Sequence, residues 1–191
     1  MEACRLTATQ LACRRGERLL FAGLSLDLEG GQALQIAGPN GMGKSSLIRI
    51  LAGLMRPLDG HVERTGGTGL LDEKPVLDEH QPLGRALDFW SRLDGQCAAL
   101  ERLGLDDLLD VPVRYLSTGQ RKRAAMARLI GQQAPIWLLD EPLNGLDREA
   151  VAMAEGLVAD HLKAGGLALI ASHQPFDLPG LATLSLAQFT P

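Results

Sequence analysis

Apolar and polar residues alternate near the start of the chain, first from Arg5 to Leu11. Leu24, Leu26 and Leu28 then alternate with Ser25 and Asp27. A period of two marks a strand with one buried face, so this stretch is predicted to be β. Glu29-Gly30-Gly31 reads as a turn. Ala33-Leu34-Gln35-Ile36-Ala37 reads as a short, mostly apolar strand buried in a sheet. From Ser45 to Leu54 the period changes: Leu47, Ile48, Leu51 and Leu54 recur at helical spacing, with Gly53 and Pro57 as stop signals. After a strand at Thr68–Leu71, the stretch from about Leu83 to Leu109 is mainly helical by pattern. Leu87, Trp90 and Leu93 share one face there, and Leu100, Leu103 and Leu105 follow. The remaining pattern predicts a helix over Gly119–Ile130 and a buried strand over Ile136–Leu139. A helix over Arg148–Lys163, a strand over Leu167–Ala171 and a last alternating strand over Thr183–Phe189 complete it. Strands alternating with helices imply an α/β fold with a mostly parallel central sheet and helices on its faces. The first strands form a small antiparallel layer beside that sheet. No internal repeat stands out.

The chain has 191 residues, enough for one domain with a sizeable core. Apolar residues are 46% and charged residues 22%, a globular composition; aromatics are only 4%, so Leu, Ile, Val and Ala must build the core. A net charge of -4 argues against a protein that coats nucleic acid by bulk electrostatics. The longest apolar runs, such as Ile136–Leu139, fall far short of the roughly 18 residues that cross a bilayer. The start lacks a basic region followed by an apolar stretch, so no secretory signal is expected. Cys4, Cys13 and Cys97 form no Cys-x-x-Cys pair and read as reduced, packed thiols of a cytoplasmic setting.

Between the strand at 33–37 and the helix after it lies Gly38-Pro39-Asn40-Gly41-Met42-Gly43-Lys44-Ser45, which fits Gly-x4-Gly-Lys-Ser/Thr. Strand before and helix after are the context that this phosphate-binding loop requires. Its glycines let backbone N–H groups turn inward around phosphates, and the helix N-terminus adds partial positive charge. Lys44 is placed to reach the β and γ phosphates, and the Ser45 hydroxyl to ligate Mg²⁺, with Ser46 next to it. Chance would supply such a match in roughly one chain in several hundred of this composition.

Two carboxylates end the strand Ile136-Trp137-Leu138-Leu139-Asp140-Glu141. At a strand tip beside the phosphate loop, Asp140 is placed to hold Mg²⁺, directly or through water. Glu141 would orient or deprotonate the attacking water; the bland alternative is an acidic cap for the next element. Leu116-Ser117-Thr118-Gly119-Gln120 precedes a helix, and the Ser117 hydroxyl with the Gly119 N–H form either an anion site or an ordinary N-cap. Arg121, Lys122 and Arg123 read by default as a solvated helix face, with a dimer or nucleotide contact as the alternative.

With these motifs in this order, nearly the whole chain resembles the ATP-binding cassette (ABC) family, whose signature is Leu-Ser-Gly-Gly-Gln. The resemblance implies the P-loop ABC-ATPase fold. One nucleotide-binding domain would span 1–191, with a helical subdomain over roughly 76–132. It implies that Ser117, Thr118, Gly119 and Gln120 act in trans, on ATP held by the other subunit of a homodimer. Asn144-Gly145-Leu146-Asp147 looks like the family's D-loop at that dimer interface. Ser172-His173-Gln174 looks like its switch histidine, with His173 bonded to the γ-phosphate. Three positions depart from the family pattern. Thr118 stands where glycine is usual. The Q-loop glutamine is matched best by Lys74, with Gln81 as a second candidate; a lysine cannot accept a hydrogen bond from metal-bound water. The aromatic residue that stacks on adenine falls near Arg14-Arg15, so Arg15 would stack through its guanidinium.

Within the family, segments such as Leu19-Leu20-Phe21-Ala22-Gly23-Leu24-Ser25 and Ser172-His173-Gln174-Pro175 are similar to the haem-exporter ATPase branch of cytochrome c maturation. That resemblance implies an ATP-hydrolysing subunit bound peripherally to the cytoplasmic face of a bacterial inner membrane. Integral membrane subunits would be its partners; it would meet haem only indirectly and nucleic acid not at all. The alternatives are a soluble ABC ATPase and a weakly hydrolysing regulatory module. Soluble members usually carry paired cassettes or a long insertion, and only 71 residues separate Ser45 from Leu116 (116 − 45).

Overall fold

The computed structural model describes residues 3–72, 77–94 and 100–190. β1 (Arg5–Arg15) and β2 (Arg18–Glu29) form an antiparallel hairpin, paired from Arg5↔Glu29 to Arg15↔Arg18 with register shifts between Ala8 and Arg14. The predicted alternation is observed: Leu24, Leu26 and Leu28 are buried, while Ser25 and Asp27 are exposed. A third strand, β4 (Asp59–Thr65), pairs antiparallel along the other edge of β1. Nothing in Asp-Gly-His-Val-Glu-Arg-Thr announces a strand, because its one strongly apolar side chain, Val62, is only half-buried. The ladder to β1, not an apolar face, holds this segment extended.

β3 (Ala33–Ala37), β5 (Thr68–Leu71), β6 (Ile136–Asp140), β7 (Leu167–Ala171) and β8 (Ala182–Ser185) build a five-stranded sheet in the order β5-β6-β7-β3-β8, every pairing parallel. All of β6 and β7 is buried. Their side chains divide by parity between two cores. Ile136, Leu138, Leu167 and Leu169 join the core that contains the antiparallel layer and α1 (Lys44–Leu51). Trp137, Leu139, Ala168 and Ile170 join the core beneath α2 (Leu83–Asp94), α3 (Thr118–Gly131) and α4 (Arg148–Lys163). A strand buried on both faces must be apolar throughout, which is why these runs read as continuous rather than alternating.

Three expectations are corrected. α1 stops at Leu51, where Gly53 (φ 78) receives the chain into its left-handed turn, earlier than Leu54. The helical reading of 83–109 holds over Leu83–Asp94. Beyond it, the described chain runs in single 3₁₀ turns at Glu101–Leu103 and Asp106–Leu108, the first ended by Gly104 at φ 58. Leu103 and Leu105 are nonetheless fully buried, so their spacing served packing without a continuous helix. The last strand also ends early. Ser185 pairs with Ala37, the end of β3, and no ladder partner continues past it. Leu186–Phe189 therefore curls into a 3₁₀ turn that buries Leu186.

Candidate nucleotide site

β3 ends directly at the glycine loop, and α1 begins at its far side. Gly43, the N-cap of α1, has φ 107, and a Cβ there would come within 3.2 Å of Leu20 and 3.3 Å of Phe21. A side chain at 43 would push the loop off the antiparallel layer. Met42 packs against the apolar core of that layer and anchors the loop. No side chain caps α1 and no acid occupies its first turn, so its N-terminal N–H groups remain suited to an anion. Lys44 is 5% exposed. Its Nζ donates to Gly38 O (2.7 Å) and Pro39 O (3.4 Å) and lies 3.2 Å from Glu141 Oε1. Beside the loop opens a cleft of about 560 Å³, lined among others by Arg15, Arg18, Asn40, Ser45, Ser46 and Asn144.

The carboxylates come from β6, which is separated from β3 by β7. Glu141 crosses that gap because its backbone turns sharply, at φ 46. For a residue with a Cβ this conformation costs about 1–2 kcal/mol, and its surroundings hold it there. Its N–H donates to Ala171 O (2.8 Å), and its carbonyl accepts from Lys122 Nζ (3.0 Å). Its side chain lies between Lys44 on Oε1 and His173 on Oε2, where His173 Nδ1 is at 2.8 Å and the His173 N–H donates at 3.4 Å. Asp140 precedes it at the strand end, 2% exposed. Glu141 is thus no helix cap. His173 stands on a turn closed by Ser172, whose Oγ donates to Gln174 O and accepts from its N–H. Buried Gln35 of β3 donates through Nε2 to the same Gln174 carbonyl (2.7 Å).

The signature lies elsewhere on the surface. Ser117 caps α3 in a reciprocal capping box: its Oγ accepts from Gln120 N–H (3.2 Å), and Gln120 Oε1 accepts from Ser117 N–H (2.8 Å). Ser117 and Thr118 are exposed, and none of Ser117–Gln120 lines the cleft of their own chain. The segment instead abuts the next loop. A Cβ on Gly119 would meet Gly145 O at 2.9 Å, and one on Gly145 would meet the Thr118 methyl at 2.8 Å. Asp147 caps α4, its Oδ1 accepting from Ala150 N–H (2.8 Å).

The solvated basic face is corrected: all three cations bind backbone carbonyls. Arg121 donates to Leu116 O, Arg123 to Leu103 O, and Lys122, buried, to Glu141 O. Lys122 shares a helical face with the buried Met126 and Leu129, a periodicity that the run of three charges masked. Lys74 lies outside the described residues. Gln81, the second candidate, belongs not to the phosphate cleft but to a groove beside α2, with Leu77, Arg85 and Phe89. Arg15 does line the cleft. Three participants were missed in the sequence: Arg18, Gln35 and the buried role of Lys122. Arg18 could have been found as the cross-strand partner of Arg15 over the Gly16-Glu17 turn. Nothing local marks Gln35.

Among the described residues no group of three His, Cys, Asp or Glu could cage a metal ion. Ser45 and Asp140 offer hard oxygen donors and no more. Hard oxygen donors suit Mg²⁺, and Ser45 and Asp140 are the residues that would hold it.

A family model described as ABC transporter matches residues 21–144. The chain belongs to the ABC transporter family. It is 56% identical, over 100% of both chains, to the cytochrome c biogenesis ATP-binding export protein CcmA of Novosphingobium aromaticivorans. To the protein of the same name from Sphingopyxis alaskensis it is 52% identical, over 91% of this chain and 92% of that one. A metal-chelate type ABC transporter in an inward-facing conformation superposes with a TM-score of 0.81 at 26% identity, covering 96% of this chain and 80% of the other. This ABC family member has the ABC-ATPase fold expected from its motifs. Family membership implies ATP binding, dimerisation and membrane partners. No helix among the described residues is long and apolar enough to cross a membrane.

Proposed function

We propose that this chain is the ATP-binding and ATP-hydrolysing subunit of an exporter in cytochrome c biogenesis, and that it drives haem handling without touching haem. The observation that carries the assignment is identity at more than half of all positions, end to end, with a CcmA protein. It would act as one nucleotide-binding domain, its helical part over roughly 76–132. Its place would be on the cytoplasmic face of a bacterial inner membrane, held there by integral membrane subunits.

The roles follow from the cleft. Lys44 leaves the carbonyls of its own loop to bind the β and γ phosphates, because a triphosphate is the stronger partner for an ammonium. That releases Glu141, which Lys44 otherwise engages, to take a proton from the attacking water or to orient it. His173, held 2.8 Å from Glu141, would bond the γ-phosphate and register its loss. Bound Mg²⁺ would supply neutralising charge at the phosphates. Ser117–Gln120 do not line their own cleft, which favours their use on the ATP of a second copy, with Asp147 at the shared interface.

The test uses Lys44→Ala and Glu141→Gln. Lys44→Ala is expected to lose nucleotide binding. Glu141→Gln is expected to retain ATP while phosphate release falls roughly 10²-fold or more. In a bacterium lacking this gene, the parent should restore covalent haem on c-type cytochromes and Glu141→Gln should not. Hydrolysis at the parental rate by Glu141→Gln would overturn its role. Restoration of cytochromes by both forms alike would overturn the pathway.

A further inference from the structure

A lysine ammonium that is nine-tenths buried needs a reason, and the mechanism above does not use Lys122. It sits on α3 five residues after Ser117 (122 − 117), inside the helix that the signature opens. Its Nζ donates to the main-chain carbonyl of Glu141, at 3.0 Å. That carbonyl belongs to the one residue at the β6 end whose backbone is forced left-handed, at φ 46. Strained backbone of this kind persists only where the surroundings over-determine it. The Glu141 N–H is fixed by the sheet through Ala171 O, and its carbonyl accepts from the Asn144 N–H (3.3 Å) as well as from Lys122, which supplies the shorter and charged contact on that side.

We infer that Lys122 is a positioning residue, which ties the signature helix to the Glu141 peptide and so aims the Glu141 carboxylate. The inference rests on the reading of Glu141 as the water-activating group. A helix is stiff over five residues, so a shift at its Ser117 end is passed to Nζ and from there to the Glu141 peptide. In a dimer whose signatures act in trans, Ser117 would touch the nucleotide of one site while Glu141 serves the other. Lys122 would then be a link between the two.

Hydrolysis and binding of a fluorescent ATP analogue are measured for the parent, Lys122→Met, Lys122→Arg, Glu141→Gln and the double variant Lys122→Met/Glu141→Gln. Lys122→Met is expected to lower kcat about tenfold or more, leaving KM and analogue affinity within about twofold. Lys122→Arg, which keeps a cationic donor, should stay within about threefold of the parent. Because Lys122 acts through Glu141, the double variant should fall no more than about threefold below Glu141→Gln alone. If Lys122→Met does not fold, Lys122→Gln replaces it, polar but an atom short of the carbonyl. Parental kcat in the Lys122 variant, a change in KM alone, or a full multiplicative loss in the double variant would overturn the link. Unimpaired hydrolysis by Glu141→Gln would instead fail the prior reading of Glu141, and this inference with it.

Discussion

Glu141 has Lys44 on one carboxylate oxygen and His173 on the other. Removing one member of a buried ionic contact costs about 3–5 kcal/mol, because the other charge is left uncompensated. In the proposed mechanism nucleotide phosphates would replace Glu141 as the partner of Lys44, which spares Lys44 that cost. His173 can answer such an exchange only if its turn is held in place, and Gln35 holds it from β3. Gln35→Leu is close in volume, and the Gln174 carbonyl then keeps the Ser172 Oγ bond without the one from Gln35. Losing one hydrogen bond to an acceptor that keeps another donor costs about 0.5–1.5 kcal/mol. The variant is expected to unfold more easily by about that amount. Its hydrolysis should fall severalfold at unchanged nucleotide affinity, as read by urea titration and phosphate release.

At the scale of the element, α3 is proposed to do two jobs with one N-terminus. Ser117 Oγ caps the helix in the free chain, and the same exposed end is proposed to meet a second copy's ATP. Ser117→Ala removes the cap and should cost about 1 kcal/mol in unfolding. A cap alone predicts nothing further. A trans role predicts that Ser117→Arg, inactive by itself, regains activity when mixed with Lys44→Ala, because one of the two composite sites then has both halves intact. Mixed dimers without activity would count against that role. Thr118, the departure from the usual signature, packs its methyl against Gly145 and so joins signature to D-loop within the chain.

For the whole molecule, acid stability depends on a residue far from the cleft. His161 is buried and stacked on Trp137, ring centroids 3.9 Å apart, and its Nε2 lies 3.2 Å from both Pro135 O and Leu167 O. Burial pushes its pKa below the usual imidazole value, and the backbone hydrogen bonds only partly oppose that. Above about pH 6.5 the ring is neutral whether the chain is folded or not, and it adds no pH dependence. As pH falls below that value, the unfolded chain takes up a proton that the folded one refuses. Stability therefore drops, by at most about 1.4 kcal/mol per pH unit, until the folded pKa is passed. Urea unfolding between pH 8 and pH 5 should show this slope in the parent and a shallower one in His161→Phe. Equal slopes would mean that other groups cause the acid loss.

Local pattern determined much of this protein. The loop at 38–45 and the acids at 140–141 each combine a motif with its flanking strand or helix in one short window. The strands at 33–37 and 167–171 and the helix at 148–163 were legible to the residue, since burial on fixed faces imposes a period that a sequence displays directly. The family resemblance also rested on windows of that size. What the tertiary structure alone decided involves partners distant in the chain. β4 exists because β1 offers an open ladder, and the last strand ends where β3 ends. Gln35 and Lys122 matter because the fold carries them to carbonyls 139 and 19 residues away. Lys44 meets Glu141 only because β6 turns left-handed at its tip. A buried polar side chain is specified by the acceptor it finds, and that acceptor is set by packing rather than by the residues beside it.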